Sequence, residues 1–552
     1  MAGPAQHSAT GHASAGSYDY VIVGAGSAGC TLAARLTEDP GVSVLLLEAG
    51  GADRNPWLAI PLAWGRVLAK RMDDWMYFAE PEERMGGRAI ECARGKVLGG
   101  SSSINAMVYV RGHRLDYERW AAGGLTGWSF DEVLPYFRRS ESWEGGADAW
   151  RGGDGPLTVT TSRYDDPLVE AYIDAGIAAG HPRTADYNGA EQHGFARAQS
   201  TIRDGRRCSA ARAYLAPARR RPNLHVALHA LARRVRMDGT RAVGVEFDRR
   251  GTAAFAEARR EVILCGGVIN SPQLLMLSGI GDPEELARHD IAPLVGLPGV
   301  GRNLQDHVSV GLGYRRAGPG PFQAAMRLDR IVPSLAQAYR FGTGFATGLP
   351  HGLMAFLKTD AAEPMPDVQI LFHGAPGDAN FWLPPFRPAF ADGFGSRVVL
   401  LRPQSRGRVR LRSADPAAAP EIRQNFMAEE ADWRVLRAGV RMVREIGRQK
   451  PLARFIDREL TLAEDASDTA IDALIRAGSA TAHHPLGTCK MGSDDDPMAV
   501  VDPQLRVRGT TALRVVDGAV MPDLVGGNIN APIIMIAERA ADLIRGRAPL
   551  VA

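Results

Sequence analysis

An α/β fold built around a Rossmann-like nucleotide-binding domain is predicted by three observations near the start of the chain. The β-branched and aromatic run Tyr18–Val23 reads as a strand. Gly24-Ala25-Gly26-Ser27-Ala28-Gly29 follows it directly. Glu48 then lies about 20 residues beyond the last of those glycines, as a dinucleotide-binding βαβ unit requires. Between the glycines and the acid, Cys30–Leu36 predicts a helix and Val42–Leu47 a second strand. The first glycine suits a tight turn, the second lets backbone approach a pyrophosphate, and the third allows close helix–strand packing. The helix N-terminus then offers free N–H groups and the positive end of its dipole to the phosphates. Glu48 would accept hydrogen bonds from ribose hydroxyls, which disfavours the 2′-phosphate of NADP. The loop alone does not separate FAD from NAD.

Composition narrows the class further. The 552 residues carry 65 basic and 62 acidic side chains, a net charge of +3, with 45% hydrophobic and 23% charged residues. That balance excludes global disorder and is enough chain for a large core. Acids and bases are interspersed, which gives no reason to expect nucleic acid as a partner. Cys30, Cys92, Cys208, Cys265 and Cys489 are scattered and form no CxxC or Cys/His cluster. No disulfide framework and no metal centre are therefore expected, and a reducing, cytoplasmic location is. No apolar run approaches the ~18 residues of a membrane span, so no integral membrane segment is expected. Residues 1–17, rich in Gly, Ala, Ser and His, read as a disordered tail.

Further along, the turn-rich stretches Gly145–Pro156 and Ala185–Gly194 suit domain links. Leu224–Leu228, Ala242–Phe247 and Leu513–Val516 read as strands, and Ala428–Arg448 has helical periodicity. Arg315–Gly395, rich in Gly, Pro and aromatics, reads as a separate lobe whose aromatics either wall a substrate pocket or fill the lobe's own core. After a strand at Glu261–Cys265, a short helix is expected with Ser271 as N-cap, Pro272 at its first position and Gly279 just past its end.

Three segments carry chemistry. Gly99-Gly100-Ser101-Ser102-Ser103, within Arg94–Met107, permits close approach of backbone to a flat or anionic ligand. In Ala482–Cys489, Pro485 biases His484 to an extended backbone and projects its ring from a loop, with His483 expected to face away. Gly526-Gly527-Asn528-Ile529-Asn530-Ala531-Pro532 precedes the apolar helix Ile533–Arg545, with Asn530 placed to cap it or to face a ligand.

Taken with Val300-Gly301-Arg302-Asn303-Leu304-Gln305-Asp306-His307, these segments resemble the glucose–methanol–choline oxidoreductases, FAD-dependent alcohol oxidisers, from Tyr18 to Arg545. Asn105–Gly112 makes the chain most similar to the bacterial choline-dehydrogenase-like branch. The resemblance implies an FAD-binding domain formed by residues 18–155, 200–312 and 470–552. A substrate domain of α+β type on an antiparallel sheet would comprise 156–199 and 313–469. It implies His484 as catalytic base and Asn530 as the second active-site residue. It places Glu48 at the ribose and Val97, Asn105, Ala106, Met107 and Val108 in a flavin-contacting loop, with Ala49 and Gly100 also binding the cofactor. Asp517, Ala519, Asn530, Ala531 and Pro532 would touch the cofactor again. Some relatives attach FAD through a histidine that would fall at Ile104; isoleucine cannot do so, and non-covalent FAD is expected. Val268 stands where the family prefers a small residue.

The implied reaction is hydride transfer from a primary alcohol to FAD, yielding an aldehyde. An alcohol is a poor hydride donor until its oxygen gains negative charge, so a neutral imidazole that takes the hydroxyl proton is the central requirement. Asn530 would donate an N–H to the same oxygen. Oxygen or another acceptor would reoxidise the flavin. The stretch Phe381–Phe394 favours an aryl or bulky uncharged alcohol. Choline, whose cation needs an aromatic cage and a carboxylate, is the alternative, together with an FAD-containing lyase.

Overall fold

The protein is described by a computed structural model covering residues 13–550. Its first sheet has seven strands, in the order Ala230–Asp238, Arg241–Arg249, Thr252–Leu264, Ala13–Val23, Val44–Glu48 and Leu224–Leu228, with Leu513–Val515 also paired to Thr252–Leu264. Ala13–Val23 is parallel to both its neighbours, and Val44–Glu48 to Leu224–Leu228. Tyr20–Val23 and Val44–Leu47 are buried throughout, the continuous apolar pattern of strands covered on both faces. The helix Ser27–Leu36 leaves the first strand and packs beside the last helix, Asn530–Ile544. This is the α/β dinucleotide-binding architecture expected.

The second sheet, also of seven strands, is antiparallel, in the order Ile456–Glu459, Val308–Arg316, Gly393–Leu400, Val368–His373, Leu353–Leu357 and Gly194–Arg197, with Ala480–Thr481 on Val308–Arg316. Period-two alternation divides its faces. Val308, Val310, Leu312, Val398 and Ile370 enter a core shared with the helices Pro167–Ala178 and Glu430–Arg448. Ser309, Arg397, Leu371 and His373 turn the other way and line a cavity whose remaining wall comes from the first sheet.

Several local expectations change. The first strand begins at Ala13, so Ala13–Ser17, expected in the tail, pair with Ala254–Glu257; residues 1–12 lie outside the described residues. The strand Val308–Arg316 straddles the boundary expected after residue 312. The helix expected to start at Pro272 runs from Gly267 to Leu277, with Pro272 inside it. Proline has no N–H for the carbonyl of Val268 one turn earlier. The Thr488 hydroxyl supplies that hydrogen bond at 2.6 Å, which lets the helix pass through the proline. Of the lobe's aromatics, Phe356, Phe372 and Phe394 are buried, Phe341 and Phe386 are exposed, and only Phe372 borders the cavity. The Phe381–Phe394 stretch therefore gives no ground for an aryl substrate. All five cysteines are free and buried, and among the described residues no helix is long and apolar enough to cross a membrane.

Candidate active site

The cavity holds about 370 Å³ and is bounded at one end by the glycine loop. Gly24 has φ +100°, and a Cβ there would lie 2.4 Å from the Cys265 carbonyl oxygen. At Gly29 a Cβ would sit 1.9 Å from the Gly24 oxygen. At Gly26 it would meet nothing within 4 Å and would project into the open cavity. The first and last glycines thus permit the turn and its packing, and the middle one keeps bare backbone facing the space a pyrophosphate needs. Gly100 closes over the loop, since a Cβ on it would come within 2.7 Å of Gly26 Cα.

Glu48 accepts hydrogen bonds from the N–H groups of Ala25 (2.9 Å) and Gly50 (2.8 Å). Burial outweighs them and pushes its carboxyl up to about 7. Asp517 accepts from Gly267 N (2.8 Å), the Ser271 hydroxyl (2.6 Å) and Ala519 N (2.7 Å), joining the C-terminal segment to the helix Gly267–Leu277. Arg207, buried without a carboxylate, donates to Leu58 O (2.8 Å) and Asn105 Oδ1 (2.8 Å) and so clamps the Gly100–Asn105 loop. Burial brings its guanidinium down to about 9.

Gly24, Gly26, Ser27, Ala28, Glu48 and Ala49 line the cavity, as do Gly100, Asn105, Ala106, Met107 and Val108, and Asp517 and Asn530 at the C-terminal end. Gly29, Val97, Ala519, Ala531 and Pro532 stand behind its wall; Val97 packs against Ile104. A bare glycine loop, an acid on its backbone and a second glycine-rich loop above it are the shape and donor set that an FAD molecule requires.

At the other end stands His484, 7% exposed. His307 Nε2 lies 3.0 Å from Leu401 O, a carbonyl that can only accept, so His307 carries its proton on Nε2. Its Nδ1, 3.0 Å from His484 Nδ1, must then accept, and His484 is protonated on Nδ1. His484 Nε2 is left with its lone pair, 2.9 Å from Asn528 Nδ2. Gln369 Nε2 donates to Asn528 Oδ1 (3.2 Å) and fixes that amide with its nitrogen toward the imidazole. Asp306 holds the backbone, accepting from His484 N at 2.9 Å and from the Thr481 hydroxyl. Burial, with His307, His483 and Arg94 nearby, holds the His484 imidazole well below its usual range, so it stays neutral.

Two expectations are corrected here. The amide beside His484 belongs to Asn528. Asn530 faces the opposite end of the cavity, where its Oδ1 accepts a hydrogen bond from the Ser27 hydroxyl at 2.7 Å. The two residues flank Ile529, the N-cap of the last helix: Asn528 precedes the helix and Asn530 is its first residue, and their side chains take different partners, His484 and Ser27. His483, expected to face away, is among the residues that line the cavity: its φ is +64°, left-handed, which breaks the extended alternation, and its Nε2 lies 3.6 Å from Glu91. Sequence reasoning assigned no role to His307, although it ends the Gln-Asp-His run, and none to Gln369, Arg207 or Arg397, which belong to no motif.

The family model described as GMC oxidoreductase matches the chain in two parts, over residues 18–309 and 403–537. An oxygen-dependent choline dehydrogenase of Burkholderia multivorans is 47% identical over 540 residues, covering 97% of this chain and 94% of that protein. Among solved structures, a pyridoxine 4-oxidase from Mesorbium loti superposes with a TM-score of 0.86 at 34% identity, covering 96% of this chain and all of the other. An Aspergillus oryzae formate oxidase studied for its FAD modification gives 0.88 at 28% identity, covering 97% and 99%.

Proposed function

The chain belongs to the GMC oxidoreductase family of FAD-dependent enzymes acting on CH–OH groups, and on that premise we propose that it oxidises a primary alcohol to an aldehyde with His484 as general base and Asn528 as its partner. The observation that carries this reading is the chain of hydrogen bonds that leaves His484 Nε2 unprotonated beside an amide donor. An alcohol oxygen about 3 Å from both nitrogens would give its proton to Nε2 and accept one from Asn528 Nδ2. The imidazole thereby places negative charge on that oxygen while the amide shares it, which is what makes the adjacent carbon a hydride donor. FAD bound between the glycine loops supplies the two-electron acceptor. It would be held without a covalent bond, because Ile104 occupies the position where some relatives attach it.

The test is His484→Ala. The purified variant should remain yellow, with its FAD retained, while anaerobic bleaching by an alcohol slows by about two to four orders of magnitude. Bleaching at the parental rate would refute the assignment. Bleaching of the parent enzyme also separates oxidation from a lyase reaction, which leaves the flavin oxidised. Choline has its support in the name of the Burkholderia relative, but among the described residues the carboxylates that line the cavity, Glu48 and Asp517, already accept hydrogen bonds from Ala25, Gly50, Gly267, Ser271 and Ala519.

A further inference from the structure

The charged groups of the cavity are sorted by position. Its carboxylates are Glu48, at the end of the strand Val44–Glu48 and hydrogen-bonded to Ala25 of the glycine loop, and Asp517, whose oxygens are taken by Gly267, Ser271 and Ala519. The part bordered by the second sheet has Arg397, His351, His373, His483, His484 and Arg94, all basic types. Arg94 spends a hydrogen bond on the His483 carbonyl (2.9 Å), and the ring of His483 backs onto Glu91 at 3.6 Å. Arg397 differs. Its Nε and Nη2 converge on a neutral acceptor, the Ser309 hydroxyl, at 3.2 and 2.9 Å. Its Nη1 has no hydrogen bond, and no carboxylate is within ion-pair distance, among the described residues.

The carboxylate that acts on it, Glu91, lies beyond ion-pair distance and is engaged by Arg71 and His483. A half-buried guanidinium with no ion pair of its own favours an anion that meets it, and its planar fork matches a carboxylate. His351, only 7% exposed, has an Nε2 that is buried without any partner, so a second polar group on this wall lacks a protein ligand. Burial pushes His351 down to about 3 and His373 to about 4, which keeps both neutral. They can donate or accept hydrogen bonds without adding charge. Position favours a role in substrate binding. Ser309 lies two residues beyond His307, whose ring meets His484, and a strand advances ~7 Å over that interval. The fork therefore sits a short alkyl or aryl spacer away from the base.

We infer that Arg397, with His373 next to it and His351 on the same wall, forms an anion subsite that takes the carboxylate of a hydroxycarboxylate substrate, so that the enzyme selects anionic alcohols over neutral ones and disfavours choline. This rests on the alcohol-oxidation reading for the reaction, but the subsite itself is testable without turnover.

Two arms keep them apart, both on the FAD-loaded enzyme. In the first, kcat/KM is compared for 4-hydroxybutanoate, 6-hydroxyhexanoate, 4-(hydroxymethyl)benzoate, the uncharged 1-butanol, 1-hexanol and benzyl alcohol, and choline. At least one hydroxycarboxylate should exceed its uncharged counterpart by about tenfold to a hundredfold, the worth of a hydrogen bond to a charged group, and choline should rank last. Arg397→Gln, which keeps a donor for Ser309, should bring that ratio close to one, and Arg397→Lys should restore part of it. In the second arm, butanoate, hexanoate and benzoate, which have no hydroxyl to oxidise, are titrated while the flavin absorbance is followed. A saturable change in the parent that Arg397→Gln weakens by about tenfold or more supports the subsite even if no alcohol is oxidised; in that case only the oxidation reading fails. Choline as the best substrate, or a charge ranking and carboxylate affinity unmoved by Arg397→Gln in a variant that keeps its FAD, would overturn the inference.

Discussion

His484 owes its readiness as a base to which of its nitrogens carries the proton, and that is decided by a carbonyl two residues removed in the hydrogen-bond chain. Leu401 O fixes His307, and His307 fixes His484. Because burial holds His484 well below the ordinary 6.5, kcat/KM for a neutral alcohol should be flat down to about pH 6.5 and fall only at lower pH. An acid limb centred at or above 6.5 would show that burial does not keep the proton off the ring. The two asparagines should separate cleanly. Asn528→Ala, which removes the donor at 2.9 Å from the base, should lower kcat by about one to three orders of magnitude. Asn530→Ala, which breaks the contact with Ser27, should instead weaken FAD retention, read by dialysis and absorbance. The sequence marks His484 through Pro485 and a recognisable motif. It cannot choose between two asparagines on either side of a helix N-cap, because that choice is made by the direction in which the chain enters the helix.

At the scale of elements, the glycine loop is legible because its chemistry is local: the first and last glycines answer to backbone atoms within a few residues or at the end of the adjoining strand, and the middle one faces open space. The helix Gly267–Leu277 is not. Its Pro272 reads as a first-turn residue, and it is the hydroxyl of Thr488, far away in the chain, that donates to the Val268 carbonyl for which the proline has no N–H. Thr488→Val keeps the shape and removes the donor from a fully buried site. Loss of one buried hydrogen bond should destabilise the protein by about 1–3 kcal/mol, seen as a lower Tm. An unchanged Tm would mean that water or another group serves that carbonyl. The second sheet was expected from the family resemblance, and the basic residues on its cavity face are invisible to motif reading because they lie on separate strands.

Over the whole molecule, a group of buried neutral histidines ties stability to pH. His307 and His373 are lowered to about 4, His351 and His483 to about 3, and His484 well below its usual value. Each binds a proton near 6.5 when unfolded but resists it when folded, so the stabilisation is complete above 6.5 and is lost as pH falls toward 4 and below. Glu48, raised to about 7, and Asp306, raised to about 6, act in the opposite sense, since they hold protons in the fold that the unfolded chain has released. Glu82 and Asp517 are raised as well, while His113, His181 and His193 are lowered, so among the described residues eight histidines oppose four carboxyls. Thermal unfolding followed from about pH 7 down to about pH 4 should therefore show a steady fall in Tm. A Tm that rises on acidification would mean that the carboxylates dominate.

The alternation of the second sheet carries a consequence for how this scaffold changes its diet. Inward residues of its strands are anchored among helices, while their immediate neighbours on the same strands look onto the reactants. A swap at position 397, 371 or 373 can retune what is recognised and leave the supporting layer undisturbed, much as keys are recut without touching the lock's housing. Libraries confined to those outward positions should yield folded, coloured proteins with altered appetites far more often than libraries spread over the strands at random.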